Sequence, residues 1–306
     1  MIECNEELRM RVQKLKEELN ALIVAHNYQR PEIQEISDFV GDSLELSRLC
    51  AETDADTLVF CGVRFMAESA AILNPDKRVL LTDMNAGCPM AEMITRRELM
   101  EWKKRYSEAA VVCYINSSAE IKAESDCCCT SSNAINVVNS LPENDILFIP
   151  DMCLGSYVAS HTNKRIILYP GYCSVHMMLK REDVGRARRL YPDAEIMVHP
   201  ECSPEVTALA DQVMGTSQML YHAKKSKSER FIIGTEVGLM HRLKKENPKK
   251  EFIPLSKEAV CASMKRTTIG KVVKTMEQMR NVITVPEEIR AGAEAALDKM
   301  LRVSMK

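Results

Sequence analysis

Short runs of β-branched and apolar residues alternate along the chain with stretches whose apolar residues recur at helical spacing. This alternation is typical of β-α-β units, in which helices connect parallel strands. Nine runs predict buried strands, at residues 22–25, 57–61, 79–82, 110–115, 145–149, 166–169, 195–198, 231–233 and 251–255. The runs fall into three sets of three, so the pattern predicts an α/β fold with parallel sheets.

The spacing of polar landmarks around these strands predicts an internal repeat. Residues that leave the first strand of each set are 88 and then 85 residues apart, and two later landmarks repeat both offsets. The landmarks are His26, Tyr114 and His199; Asp38, Asp126 and Asp211, each beside a short further strand; and Ser43, Ser131 and Thr216. We expect three similar αβα units, at residues 1–88, 89–173 and 174–264, arranged with pseudo-threefold symmetry around a central active site.

Both ends of the chain predict amphipathic helices. The first twenty residues are charged, with an apolar stripe at Leu8, Val12, Leu15 and Leu19. This pattern is typical of a packed helix and not of a signal peptide. Residues 286–301 form the other helical pattern, and we expect the segment 265–306 to pack back on the first unit.

The composition excludes two classes of partner. Among 306 residues, 41 Lys and Arg nearly balance 43 Asp and Glu, so no field of one sign would attract nucleic acid or a membrane surface. Apolar runs such as 21–25 are far shorter than the roughly 18 residues of a membrane span. We expect a cytoplasmic protein.

The basic residues of 242–250 predict a solvated loop.

Polar side chains follow the first strand of each predicted unit. Ligands of open parallel sheets bind beyond the carboxyl ends of the strands. The three groups are His26-Asn27-Tyr28, Tyr114-Ile115-Asn116 and His199-Pro200-Glu201. If the units face a common axis, the groups meet in one site. The alternative is that each group satisfies only its own turn.

Hydroxyl side chains occupy the predicted starts of helices: Ser43, Ser131, and Thr216 with Ser217. Unpaired N–H groups and the positive end of the helix dipole favour phosphate or carboxylate there. Several such ends would suit a substrate with several anionic groups. The alternative is ordinary N-capping.

Twelve cysteines are many for a cytoplasmic chain, in which cysteine more often binds metal than forms disulfides. Cys88, Cys173 and Cys261 follow the last strand of each unit. One thiolate per unit could hold a [4Fe–4S] cluster and leave one iron open. The alternative, a small buried hydrophobe, is what we expect for Cys4, Cys50, Cys61, Cys113 and Cys153.

Longer strings occur in all three predicted units. They are HNYQ at 26–29, GDSLELS at 41–47, GVRFMAE at 62–68, YINSSAE at 114–120, CTSSNA at 129–134, PGYC at 170–173 with His176, HPEC at 199–202, and IGTE at 233–236. Together these strings resemble the quinolinate synthase family along nearly the whole chain.

The resemblance implies an enzyme of NAD biosynthesis, a transferase that forms the pyridine ring. It would condense iminoaspartate with dihydroxyacetone phosphate to quinolinate and release phosphate and two waters. Cys88, Cys173 and Cys261 would hold a [4Fe–4S] cluster whose open iron is a Lewis acid. L-aspartate oxidase or aspartate dehydrogenase would supply the iminoaspartate.

Individual residues match the family's site positions. His26 and Ser43 resemble its binders of one product carboxylate, and Ser131 resembles the binder of the other. The remaining matches are Asn116 and Thr216, joined by Ser217, for substrate binding, and Glu201, Tyr114 and His199 for catalysis. We assign proton transfer to Glu201, with Tyr114 as a second polar catalyst.

Two departures from the family pattern stand out. The run at 214–219 reads MGTSQM where the family has GSTSGM, so one hydroxyl of the phosphate side is missing. Cys127 and Cys128 precede the family's Cys129 without an evident role. Two other functions remain open: another [4Fe–4S] hydro-lyase acting on a hydroxy acid, which needs no phosphate site, and a cluster-bearing sensor module.

Overall fold

The computed structural model describes residues 2–304, with side chains from residue 6 onward. It contains three four-stranded sheets whose strands are all parallel. The strands are β1 Ala21–His26, β2 Phe39–Gly41, β3 Thr57–Cys61, β4 Arg78–Leu81, β5 Ala110–Tyr114, β6 Cys127–Cys129, β7 Asp145–Ile149, β8 Arg165–Leu168, β9 Glu195–Val198, β10 Gln212–Val213, β11 Arg230–Gly234 and β12 Glu251–Pro254. The predicted α/β class is confirmed.

The strand order is the same in each sheet: β2-β1-β3-β4, β6-β5-β7-β8 and β10-β9-β11-β12. Helices connect the strands, as parallel pairing requires. They are α1 Ile2–Glu18, α2 Pro31–Ile36, α3 Ser43–Glu52, α4 Arg64–Leu73, α5 Arg96–Arg105, α6 Ala119–Ala123, α7 Ala134–Ser140, α8 Met152–Ala159, α9 Arg181–Leu190, α10 Pro204–Thr207, α11 Thr216–Lys225, α12 Leu239–Glu246, α13 Ile269–Gln278 and α14 Glu287–Val303.

The three landmark aspartates make the same contact in each unit. One Oδ2 accepts the backbone N–H of a residue in the first strand: Asp38 from Ile23 at 2.8 Å, Asp126 from Val111 at 2.7 Å, and Asp211 from Ile196 at 2.8 Å. In each case the aspartate's own N–H returns a bond to that strand residue. The carboxylate thereby ties the short edge strand to the first strand, which explains the constant spacing.

The strands are apolar on both faces because helices cover both. In β1 and β3, Ile23 and Val59 lie in an apolar cluster with α1 and α13, whereas Val24 and Phe60 lie in the main core. Successive side chains of a strand point to opposite faces, so strands covered on both sides have no polar stripe. This is why the sequence shows continuous apolar runs.

The C-terminal segment contacts two units. Helix α13 packs on α1, β3 and β4, and Ile283 N–H bonds to Val79 O at the edge of the first sheet. Helix α14, expected on the first unit, lies instead mostly against α6 and β6 of the second, with α4 also in contact. Gly292 allows this packing, since a Cβ there would lie 2.8 Å from Ala123 O.

The prediction of a solvated loop at 242–250 is wrong. Much of the segment belongs to α12, and Arg242 donates to Asn27 Oδ1 at 3.0 Å and to Val40 O at 2.6 Å. Arg242 thus joins the third unit to the first, whereas Lys244, Lys245 and Lys249 are exposed. No helix within residues 2–304 has both the length and the apolar character needed to cross a bilayer.

Candidate active site

One cavity lies where residues of all three units meet. It is a concave space lined by side chains of each unit, as small-molecule sites usually are. The predicted site residues that line it are His26, Ser43, Cys88, Tyr114, Asn116, Ser131, Cys173, His199, Glu201, Thr216 and Cys261. The strand-end groups of the three units therefore face a common space.

His26 and His199 hold their rings in the same way. In each, Nδ1 accepts a hydrogen bond from the backbone N–H two residues later, from Tyr28 at 3.2 Å and from Glu201 at 3.3 Å. In His26 this assigns the proton of the neutral ring to Nε2. Burial lowers the pKa of His26 to about 3, so this ring is a neutral donor. Burial also lowers the pKa of His199, whose Nδ1 lies beside the Glu201 carboxylate as well.

Glu201 is buried between two imidazoles. Its Oε2 lies 2.7 Å from His176 Nδ1 and 3.3 Å from His199 Nδ1, and Asn116 Nδ2 donates to Oε1 at 3.4 Å. Burial would raise the pKa of Glu201. The charges and hydrogen bonds of His176 and His199 outweigh burial and hold that pKa well below its usual range. The site thus contains an ionised carboxylate able to accept a proton.

Two buried tyrosines face the same carboxylate. Burial, and then the charge of Glu201, raise the pKa of Tyr114 and of Tyr28 well above the usual range of a phenol. The Tyr28 hydroxyl lies 2.6 Å from Thr235 Oγ1. Both phenols therefore keep their protons and serve as hydrogen-bond donors.

Ser43 and Thr216 are each the first residue of a helix, and neither is its cap. At α3, the Asp42 carboxylate accepts the N–H groups of Leu44 and Glu45, both at 3.0 Å. At α11, the cap is a glycine and Thr216 Oγ1 accepts from the Asn27 side chain at 2.9 Å. The Ser43 hydroxyl is thus not needed for capping and remains beside the cavity.

Two hydroxyls lie elsewhere than expected. Helix α7 begins after its cap Asn133, so the prediction that Ser131 starts a helix is wrong. Ser131 lies in the preceding turn, with its hydroxyl 3.2 Å from His199 Nε2. Ser217 is not among the residues that line the cavity; its hydroxyl donates to the Glu45 carboxylate at 2.5 Å.

The sequence arguments assigned no role to Tyr28 or His176, which also line the cavity. Tyr28 is the repeat equivalent of Asn116 and Glu201, at separations of 88 and 85, so the repeat itself held the signal. His176 has no equivalent at those offsets. Its Nδ1 lies 3.2 Å from Cys173 Sγ and its Nε2 lies 2.8 Å from Thr235 Oγ1.

The cysteines divide as the spacing suggests. Cys88, Cys173 and Cys261 line the cavity, whereas the sheets and helices bury the others expected to be apolar: Cys50, Cys61, Cys113 and Cys153. The side chain of Cys4 lies outside the described residues. Cys127 and Cys128 belong to the buried strand β6, with Cys128 beside Cys113 in register.

The three cavity cysteines fit a group that takes thiolates from three sides. Burial raises the pKa of Cys88 to about 12 and raises the pKa values of Cys173 and Cys261. A charge on Cys261 would raise the pKa of Cys88 further, and a charge on Cys88 would do so for Cys173. Three thiolates in this cavity would therefore need iron or another cation to compensate their charges.

Comparison with known proteins identifies one family along nearly the whole chain. The sequence model of the quinolinate synthetase A protein family matches residues 10–302. A quinolinate synthase of Dehalococcoides mccartyi is 54% identical over 294 residues, 96% of this chain and 97% of its own. A quinolinate synthase of Thermodesulfovibrio yellowstonii (52% identical, 94% of this chain and 95% of its own) and the quinolinate synthase 2 of Methanosarcina acetivorans (51%, 96% and 94%) are similar over nearly their full lengths.

Proposed function

Because the chain belongs to the quinolinate synthetase A family, we propose that it condenses iminoaspartate with dihydroxyacetone phosphate to quinolinate, releasing phosphate and two waters. The observation that supports this proposal is the cavity that Cys88, Cys173 and Cys261 line together with a carboxylate, two phenols and imidazoles. We assign the enzyme to the transferases of NAD biosynthesis. The units at 1–88, 89–173 and 174–264, with the tail 265–306, are our proposed domains.

Cys88, Cys173 and Cys261 are the proposed ligands of a [4Fe–4S] cluster. When bound through three cysteines, such a cluster supplies a Lewis acid at its fourth iron. The chain's own contribution is to hold the thiols at the ends of three separate strands. His176, 3.2 Å from Cys173 Sγ, orients that ligand.

Substrate binding is assigned to the neutral donors of the cavity. His26 and Ser43 would bind one carboxylate, and Ser131 the other. The first turn of α11, at Thr216, presents unpaired N–H groups that favour an anion. We place the phosphate there, with Asn116 beside the condensing carbons.

Proton transfer is assigned to Glu201. Closing the pyridine ring removes protons from carbon and expels hydroxyl groups, so a group that both accepts and donates is required. Glu201 is ionised and linked to His199 and His176 at 3.3 and 2.7 Å, so a proton taken from substrate can be shared with an imidazole. Tyr114 keeps its proton and would donate to the leaving hydroxyl.

An anaerobic assay tests the function. Purified protein is assayed for iron and sulfide, then supplied with iminoaspartate and dihydroxyacetone phosphate. We expect quinolinate and inorganic phosphate in equal amounts. A hydro-lyase of a hydroxy acid would release no phosphate, and a sensor module would form no product, so a cluster-replete protein giving neither compound would contradict the proposal.

A further inference from the structure

A backbone hydrogen bond anchors the cysteine loop of each unit at equivalent places. The N–H three residues after the end of β3, β7 or β11 donates to the carbonyl two residues before the cysteine. The pairs are Arg64 to Ala86 at 2.8 Å, Met152 to Gly171 at 2.8 Å, and Val237 to Ala259 at 3.0 Å. The loops that carry Cys88, Cys173 and Cys261 therefore start from a shared backbone frame.

The residue just before this donor differs between the units. It is Val63 in the first unit, Asp151 in the second and Glu236 in the third. Both carboxylates are fully buried. Neither belongs to the proton-transfer group around Glu201. Burying a carboxylate without compensating partners would destabilise the fold.

Both carboxylate oxygens of Glu236 accept hydrogen bonds from the protein. Oε1 accepts the backbone N–H of Cys261 at 3.0 Å, and Oε2 accepts the N–H of Gly238 at 2.6 Å. Lys265 Nζ lies 2.9 Å from Oε1 and 3.1 Å from Oε2. With its acceptors occupied in this way, Glu236 is suited to hold Cys261 in place and not to react with substrate.

Lys265 extends the contact to the first unit. Its ammonium donates to Tyr28 O, and Arg30 Nε donates to Lys265 O at 3.0 Å. His26 ends β1 and Tyr28 lies in the turn that follows. Lys265 and Glu236 therefore connect this turn to the loop of Cys261.

Asp151 occupies the equivalent position in the second unit, where its side chain caps α8. Its Oδ1 accepts the N–H groups of Cys153 and Leu154 at 2.8 and 2.9 Å, and a β-bridge joins its backbone to Gly171. Its Oδ2 has no hydrogen-bond partner among the described residues. The β-bridge to Gly171 holds the start of the loop that carries Cys173.

We propose that Glu236 is a positioning residue for the cluster. It fixes the Cys261 ligand through the backbone N–H, as Asp151 supports the loop of Cys173. Through Lys265 it also sets that ligand against the substrate-binding turn of the first unit. The inference rests on the cluster assigned above to Cys88, Cys173 and Cys261. Partners in the outer shell of a metal site orient its ligands and change metal affinity by about 10- to 100-fold.

The test compares Glu236→Gln with Glu258→Gln after anaerobic reconstitution. Glu258 is an exposed carboxylate in the same loop, so its variant controls for loss of charge. In Glu236→Gln the new amide faces the donors of Gly238 and Lys265, which disrupts the contact to Cys261. We expect loss of the cluster to a chelator to accelerate about tenfold, with altered g values of the reduced cluster. Glu258→Gln should match wild type.

A second variant separates ligand positioning from fold stability. Replacing a buried ion pair by apolar residues of similar volume is often neutral for folding, so Glu236→Leu with Lys265→Met should fold. It still leaves the Cys261 N–H without an acceptor, and we expect the same fast cluster loss. Wild-type retention and wild-type g values in either Glu236 variant would overturn the inference. A wild-type protein that binds no cluster would instead contradict the proposed cofactor.

Discussion

Glu201 is a buried carboxylate, and burial alone would raise its pKa. His176 and His199 instead hold that pKa well below the usual range. Sequence reasoning found the residue through its repeat position and the family resemblance. It could not find His176 as its partner, because that contact joins the loop after Cys173 to the end of β9 and follows no repeat offset.

Glu201→Gln should retain the cluster and bind substrate but lose turnover by at least about a hundredfold, because an amide cannot carry the proton. Single-turnover formation of quinolinate by cluster-replete protein measures the effect. Glu205→Gln, an exposed carboxylate in α10, is the matched control and should be unaffected. Near-normal turnover in Glu201→Gln would transfer the role to Tyr114.

His26 should make folding stability depend on pH. Burial lowers its pKa from 6.5 to about 3 in the folded protein, so the unfolded chain binds the proton first as pH falls. Stability is therefore lost below the unfolded pKa, by about 2 kcal/mol between pH 7 and pH 5. Urea unfolding at both pH values should show this loss in wild type and less of it in His26→Asn. Equal pH dependence in both proteins would mean that His26 takes up a proton in the folded state.

Strands and helices were predicted more completely from the sequence than the contacts between them. The predicted strands 57–61, 145–149 and 195–198 coincide with β3, β7 and β9, because buried parallel strands leave an uninterrupted apolar signal. Helix starts were less clear: α7 begins only at Ala134, and the preceding Asn133 makes no side-chain capping hydrogen bond. Its Oδ1 accepts the N–H of Thr130 at 2.6 Å instead, so the Ser and Thr residues of 130–132 belong to a turn and not to the helix.

The departure at Gln218 has a local explanation. Its Oε1 accepts the N–H of Gly215 at 2.8 Å, as a glutamine three residues after a helix cap often does. The side chain therefore stabilises the start of α11, directly before Thr216. Nothing in the sequence pattern distinguished this role from a lost phosphate contact.

Helix α14 should be sensitive at one glycine. A Cβ at Gly292 would lie 2.8 Å from the backbone oxygen of Ala123, and backbone cannot easily move aside. We expect Gly292→Ala to destabilise the protein by about 1–3 kcal/mol, despite the better helix propensity of alanine. Gly270→Ala in α13 meets nothing within 4 Å and should be neutral or stabilising by up to about 1 kcal/mol. Thermal unfolding of both variants distinguishes the effect of packing from that of helix propensity. Equal shifts of the unfolding temperature in the two variants would contradict the close approach of α14 to Ala123.

At the scale of the whole molecule, most of the predicted features follow from the internal repeat. The three sheets share one strand order, and the Asp38, Asp126 and Asp211 contacts recur. The pseudo-threefold arrangement itself stays a prediction. The position of α14 on the second unit was missed, because an amphipathic stripe shows that a helix is packed but not against which partner.

One cysteine from each unit lines the cavity, so the proposed cluster would depend on the whole chain. Removing one thiolate leaves two ligands on different units, too few to hold a cluster that binds through three irons. Cys173→Ala should therefore abolish the visible absorbance of the cluster and the activity, while Cys153→Ala, a buried thiol outside the cavity, should keep both. Iron and sulfide analysis of the two reconstituted variants is the measurement. Because Cys88 and Cys261 belong to the other two units, their alanine variants should give the same loss, and a full cluster in any of the three would refute assembly from all units.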